Sequence, residues 1–244
     1  MHRFIVKDGL AVGAEVAFSQ EEAAHAFRVL RLRAGEGVEL SDGEGKLFSA
    51  ELLVVEREQV TAKVWEELDG KEAPVRITLY QGYPKADKLE LVVQKLTELG
   101  ACRIVPVVME RSVAKPDSKD KGKRRERLSR IAQEAAKQCG RGMVPEVEEA
   151  ITWKQAKARF EAHELTMMPW EDARDVRMKD VYKERPEVRD IAIVIGPEGG
   201  ISETEANEAK EKGAVCVTLG PRILRTETAA LTSVAVAMNL WGDI

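Results

Sequence analysis

Cysteine, histidine and long apolar runs are all scarce in this sequence, and each shortage removes a class of function. The three cysteines, Cys102, Cys139 and Cys216, have neither CxxC nor zinc-ligand spacing. An odd number cannot all pair within one chain, so free thiols in a reducing cytoplasm are expected. The three histidines, His2, His25 and His163, are scattered and join no carboxylate cluster, so no metal is expected. No apolar run approaches membrane-spanning length, and the opening MHRFIVKDG has no apolar leader core. Excess positive charge is lacking too. A net charge of −4 argues against avid, non-specific nucleic-acid binding but leaves room for a local basic face. Neither GxxxxGK[ST] nor GxGxxG occurs, which disfavours a phosphate-cradling P-loop and a dinucleotide fingerprint.

What is present is an ordinary globular composition, 44% hydrophobic and 33% charged, in 244 residues. That length holds one large domain or two small ones. The first seventy or so residues read as short strands at 4–6, 15–18, 37–40, 47–55 and 59–64, separated by Gly, Asp and Ser turns. One helix interrupts them, capped by Ser19 with Glu22 and ending near Phe27. Residues 28–33 interleave Arg28, Arg31 and Arg33 with apolar residues, and a strand with its arginines on a basic, solvated face is expected there. The polar stretch 66–73 marks a boundary, dividing the chain into domains 1–70 and 74–244.

Beyond it the rhythm changes. A strand at 75–80 precedes Leu89, Val92, Val93, Leu96 and Leu99 at helical spacing, then Gly100 and a strand at 104–108. Strand, helix, strand in that order predicts a parallel sheet. The loop from Glu110 to Pro116 runs into the densest basic run of the chain, 119–125, and then a helix burying Leu128, Ile131 and Ala135. A short helix at 154–161 and a strand at 164–168 lead to Pro169-Trp170-Glu171, a candidate wall of a ligand site. Residues 172–189 read as a charged, irregular loop.

The stretch 191–231 holds the strongest pattern. Residues 191–195 form an unbroken β-branched run, the signature of a strand covered on both faces. It breaks at Gly196-Pro197-Glu198-Gly199-Gly200, where glycine permits positive φ and close backbone approach to a ligand. Ser202 and Glu205 make a capping box for a helix that Gly213 closes. A second buried strand at 214–219 again ends in Gly-Pro, and Thr226 opens the last helix. Two successive strand–turn–helix units place two loops at one sheet edge, where open α/β sheets bind ligands.

These residues carry a resemblance that spans nearly the whole chain. GPEGGIS followed by LGPRILRTETAAL resembles the paired C-terminal motifs of the RsmE family of SPOUT methyltransferases, and RSVAK, EAAKQCGR and the N-terminal HRF extend the match. Cys139 departs from it, standing where that family usually has a small hydroxyl residue. The resemblance implies an α/β SPOUT-type parallel sheet with a C-terminal trefoil knot, preceded by a small PUA-like β-barrel. It implies S-adenosylmethionine-dependent methylation of N3 of a uridine in 16S rRNA of the small ribosomal subunit, by a cytoplasmic homodimer without metal or membrane. Cofactor contacts then fall to Pro169, Gly196, Pro197, Glu198, Gly199, Gly200, Leu219, Gly220, Ile223, Leu224 and Thr226. Arg225, with Arg222 behind it, is the candidate to stabilise a uracil anion. Glu198 or Glu227 is the candidate proton acceptor, although Glu227 also suits the first turn of its helix. RNA contacts fall to Arg3, Arg31, Arg33, Arg111, Lys115, Arg124, Gln138 and Arg141. N3 is masked in a paired helix, so the uridine must be unpaired or flipped, and the weak overall charge suits a substrate presented on an assembled subunit. Three alternatives stay open: ribose 2′-O-methylation, a non-catalytic ribosome-binding or assembly module, and a nucleotide-binding metabolic enzyme.

Overall fold

Two compact units divide the chain: Met1–Glu72 with Ala136–Val144, and Ala73–Ala135 with Pro145–Ile244. The computed structural model describes residues 1–70, 72–85, 87–114, 116 and 121–244.

In the first unit, alternating apolar residues build a sheet wrapped around one core. β1 (His2–Ile5), β2 (Glu15–Ala17), β3 (Gly37–Ser41), β4 (Leu47–Val55) and β5 (Val60–Leu68) lie in the order β1-β3-β4-β5-β2. β1 runs parallel to β3 and the other pairs are antiparallel. Phe4, Val38, Leu40, Leu52 and Val64 fill the interior. α1 (Gln20–Ala24) starts where expected, with the Ser19 side chain accepting from the Glu22 amide.

The strand expected at 28–33 does not form. A single π-helical turn, His25–Val29, follows α1, and Arg31 takes φ 54°. The Leu30 amide bonds His25 O and the Leu32 amide bonds Ala26 O, so the backbone is satisfied within the turn. Leu30 and Leu32 still pack on the core while Arg31 and Arg33 stay exposed. The apolar–basic alternation therefore records burial rather than a strand.

The segment Ala136–Val144 is held to the first unit by polar contacts. Arg141 is 8% exposed; its Nη2 lies 2.7 Å from a Glu72 oxygen. Its carbonyl accepts from Arg3 Nη1 at 3.0 Å, and Arg3 also pairs with Glu39.

The second unit is a parallel sheet with helices. Its elements are β6 (Arg76–Gly82), α2 (Lys88–Glu98), β7 (Arg103–Val108), α3 (Lys121–Cys139, whose end from Ala136 is counted in the first unit), β8 (Glu146–Val147), β9 (Ile151–Thr152), α4 (Trp153–Lys157) and β10 (Leu165–Pro169). They continue with α5 (Met178–Glu184), β11 (Asp190–Ile195), α6 (Glu203–Glu211), β12 (Val215–Val217) and α7 (Thr226–Trp241). Among the described residues the strand order is β12-β10-β11-β6-β7-β8, with β9 also pairing β7, and every pair is parallel. Ile191 to Ile195 are buried throughout, as a two-sided strand requires.

Two local expectations fail here. The stretch 172–189 is not irregular throughout, because α5 buries Met178 and Val181 and Tyr182 packs edge-on against Trp241. Two apolar residues in a charged stretch are too few to announce an amphipathic helix. β12 is shorter than 214–219, because the Thr218 amide leaves the sheet to bond Val176 O at 2.8 Å.

Candidate functional site

Parallel strands send their C-terminal ends to one edge, and there the loops after β10, β11 and β12 converge. They enclose a cavity of about 470 Å³ lined by Pro169–Glu171, Ile195–Ile201, Thr218–Thr226, Lys88 and Ala229. β10 lies between β11 and β12 in the sheet, so its exit, Pro169-Trp170-Glu171, stands between the two glycine-containing loops. The size suits a small-molecule ligand.

Each loop is shaped by a specific constraint. Of the first loop's three glycines, Gly200 alone takes the left-handed conformation, at φ 74°. Gly199 is required by space instead, since a Cβ there would meet Arg111 Cβ at 2.8 Å and Arg111 O at 2.9 Å. The loop then enters α6 through Ser202, whose side chain accepts from the Glu205 amide while Glu205 returns a bond to the Ser202 amide. Glu205 also accepts from the Glu110 amide at 2.8 Å, tying the segment after β7 to this helix start.

Thr226 is the first residue of α7, behind Arg225 at the N-cap, which makes no side-chain cap. Its hydroxyl does not cap the helix but donates to Gly196 O at 2.6 Å and accepts from Gln81 Nε2 at 2.8 Å. The two loops are therefore joined by one side chain.

The electrostatics centre on Lys88. Its ammonium lies 3.1 Å from Glu198 on the first loop and 3.3 Å from Glu227 in the first turn of α7. The Glu198 carboxylate keeps Lys88 protonated to higher pH than an ordinary lysine. Burial alone would raise Glu198, but the amides of Lys85 and of Glu198 itself, with Lys88, outweigh it and hold the carboxyl below the usual range. Lys85 N donates to Glu198 at 3.0 Å. A carboxylate so engaged is a weak proton acceptor and a good tether.

All the residues expected to contact a cofactor line this cavity, together with Arg222 and Arg225. Arg111, an expected RNA contact, lies against the first loop, donating to Gly199 O at 3.3 Å. Arg124 sits over the Tyr83 ring at 5.8 Å. Lys115 falls outside the described residues. Arg3, Arg31, Arg33, Gln138 and Arg141 belong to the first unit. There Arg31, Arg33 and Gln138 are exposed, while Arg3 and Arg141 are engaged as above.

Sequence reasoning missed Lys88 and Gln81. Lys88 left a faint signal, a cation in the first turn of a helix, where the macrodipole opposes it. Gln81 left none that periodicity reports, being a polar residue inside a buried strand. Among the described residues there is no group of three or more His, Cys, Asp or Glu placed to hold a metal ion. No helix of the described residues is long and apolar enough to cross a membrane. Burial pushes the Cys102 and Cys216 thiols up, away from the reactive thiolate form.

Comparison with known proteins places this geometry among relatives. A family model for an RNA methyltransferase domain matches residues 71–238, and one for an RNA methyltransferase PUA domain matches residues 18–64. The Bacillus subtilis ribosomal RNA small subunit methyltransferase E is 34% identical over 239 residues, spanning 95% of this chain and 93% of that protein. The crystal structure of the same-named protein from Neisseria gonorrhoeae, bound to S-adenosyl methionine, is similar at TM-score 0.89 and 35% identity, over 100% of this chain and 99% of that one. A methyltransferase structure from Legionella pneumophila in complex with the bound cofactor SAM is similar at TM-score 0.87 and 31% identity, covering 99% and 98% of the two chains.

Proposed function

The chain belongs to the RNA methyltransferase family, among the ribosomal RNA small subunit methyltransferases E, and from that premise we propose its reaction. It transfers a methyl group from S-adenosylmethionine to N3 of a uridine in 16S rRNA. The observation that carries this reading is the convergence of three loops, after β10, β11 and β12, on one cavity at the sheet edge.

The residues fit such a cofactor. Ile223 is 85% exposed while lining the cavity, and Leu219, Leu224 and Trp170 stand half-buried beside it. Together they offer an apolar slot for an adenine, flanked by loop peptide groups able to bond its edge. Gly220 takes φ 107°, and a Cβ there would meet nothing within 4 Å, so the second loop leaves room at that point. When bound, the cofactor supplies an electrophilic methyl group on a sulfonium and leaves as the neutral thioether.

The chain's own residues do the rest. Positioning the pyrimidine in line with the methyl group supplies much of the acceleration. N3 loses its proton as the new N–C bond forms, and negative charge develops on the pyrimidine oxygens. Arg225, exposed at the start of α7 and lining the cavity, is placed to stabilise that charge, with Arg222 on the same loop. Glu198 is engaged by Lys85 and Lys88, so its role is to hold the first loop, and the proton passes to another acceptor.

The first unit holds RNA through exposed Arg31 and Arg33, and the substrate is the assembled small subunit, whose shape compensates for the weak overall charge. The C-terminal chain is threaded as a trefoil knot, and the active form is a homodimer in the cytoplasm, as the family resemblance implies. The test is mass spectrometry of nucleosides from small subunits lacking the modification, incubated with the protein and S-adenosylmethionine. N3-methyluridine is expected. A gain of 2′-O-methylnucleoside instead would overturn the chemistry, and equal activity on naked RNA would remove the assembled subunit.

A further inference from the structure

Gln81 occupies the penultimate position of β6 in the middle of the parallel sheet and is 0% exposed. A fully buried amide in a central strand is unusual, because each polar atom that loses water must find a partner. Its Nε2 finds two: the Gly82 carbonyl at 3.0 Å and the Thr226 hydroxyl at 2.8 Å. Turning the amide over would set Oε1 against the Gly82 carbonyl, two acceptors facing, so the surroundings fix its orientation. Oε1 is then left buried without a hydrogen-bond partner, a cost the sheet carries for the sake of Nε2.

The consequence falls on Thr226. Because its oxygen accepts the amide hydrogen, its own proton is directed to the Gly196 carbonyl, at 2.6 Å. The polar chain runs one way, from Gln81 through Thr226 to Gly196, and so from the central strand through the start of α7 to the first glycine of the other loop. We propose that Gln81 is a positioning residue for the cofactor site: its amide sets the direction of the Thr226 hydroxyl and thereby holds the two cavity loops in register. The inference rests on the cofactor reading above, and it assigns Gln81 no contact with substrate or cofactor.

The test is the affinity for S-adenosylmethionine of Gln81→Leu and Gln81→Glu, each as a ratio to wild type at the same pH, with folding followed by circular dichroism. Gln81→Leu removes the donor and should weaken binding by about tenfold. Gln81→Glu is the sharper probe. As a neutral acid it has one hydrogen, and donating it to Thr226 keeps the polar chain while the Gly82 carbonyl loses its donor; once ionised it can only accept, and it draws the Thr226 proton away from Gly196. Its affinity ratio should be highest at acid pH and fall by about tenfold as the carboxyl ionises, at a pH raised above about 4.3 by burial. In a Thr226→Val background that pH dependence should vanish, because the chain is already cut. Wild-type affinity in Gln81→Leu, a flat ratio in Gln81→Glu, or a pH dependence that survives in Thr226→Val would each overturn the proposal. The last would assign the effect to a buried charge alone. If Gln81→Leu does not fold, the Gln81→Glu pair of profiles decides by itself. Failure of the wild-type protein to bind the cofactor would overturn the cofactor reading instead.

Discussion

The hydroxyl of Thr226 donates to the carbonyl of Gly196 at 2.6 Å, across 30 residues of sequence. One hydrogen bond thus joins the loop after β11 to the helix that follows the loop after β12. Thr226→Val keeps the shape and deletes the hydroxyl, leaving the Gly196 carbonyl and one hydrogen of the Gln81 amide unpaired. A loss of about 1–3 kcal/mol in stability, with weakened cofactor binding, is expected. Thr226→Ser should restore most of both. Thermal denaturation and calorimetric titration of the two variants read the difference, and equal behaviour of Val and Ser would remove the hydroxyl from the site.

Gly82 ends β6 directly beneath the first loop. A Cβ at this position would lie 2.4 Å from Pro197 N and 2.6 Å from Gly196 C, both backbone atoms that cannot swing aside. Gly82→Ala should therefore displace the loop, costing about 1–3 kcal/mol in stability as overpacking does. Cofactor affinity should fall with it. A variant with wild-type melting temperature and affinity would show that the loop yields freely.

Glu198 makes stability depend on acid. Burial works against its charge, and the Lys85 amide, its own amide and Lys88 prevail, so its folded-state value lies below the unfolded one. A depressed carboxyl contributes stability that is fully present above the unfolded value and is lost as pH falls through the folded value. The melting-temperature gap between wild type and Glu198→Gln should thus be open at neutral pH and close as pH falls below about 4.3. A gap that stays constant with pH would show that the carboxylate charge contributes nothing.

Arg225 and Glu198 line the same cavity but should separate kinetically. Arg225→Ala removes a cation proposed to act only as charge develops, so kcat should fall by about 10²–10³ while cofactor affinity changes little. Glu198→Gln should instead raise KM for the cofactor with a smaller change in kcat. Single-turnover assays with titrated cofactor distinguish the two. Loss of cofactor binding in Arg225→Ala would make it a binding residue rather than a catalytic one.

Much of this was legible in the sequence, wherever the physics is local. The β-branched run of β11, the capping box of Ser202 and Glu205, and the helical spacing of Leu89, Val92, Val93 and Leu96 each report burial or backbone geometry over a few residues. They determined the elements and the two-loop plan after residue 190. The alternation at 28–33 shows the limit, because period-two burial of Leu30 and Leu32 was met by a π-turn and a left-handed Arg31. What only the tertiary structure decided is which distant groups meet. It set β10 between β11 and β12, placed Lys88 between two carboxylates and drew Ala136–Val144 into the first unit. It also put the Gln81 amide under Thr226. Strand order and polar pairing depend on the packing of the whole chain, and hydrophobic periodicity carries no information about them.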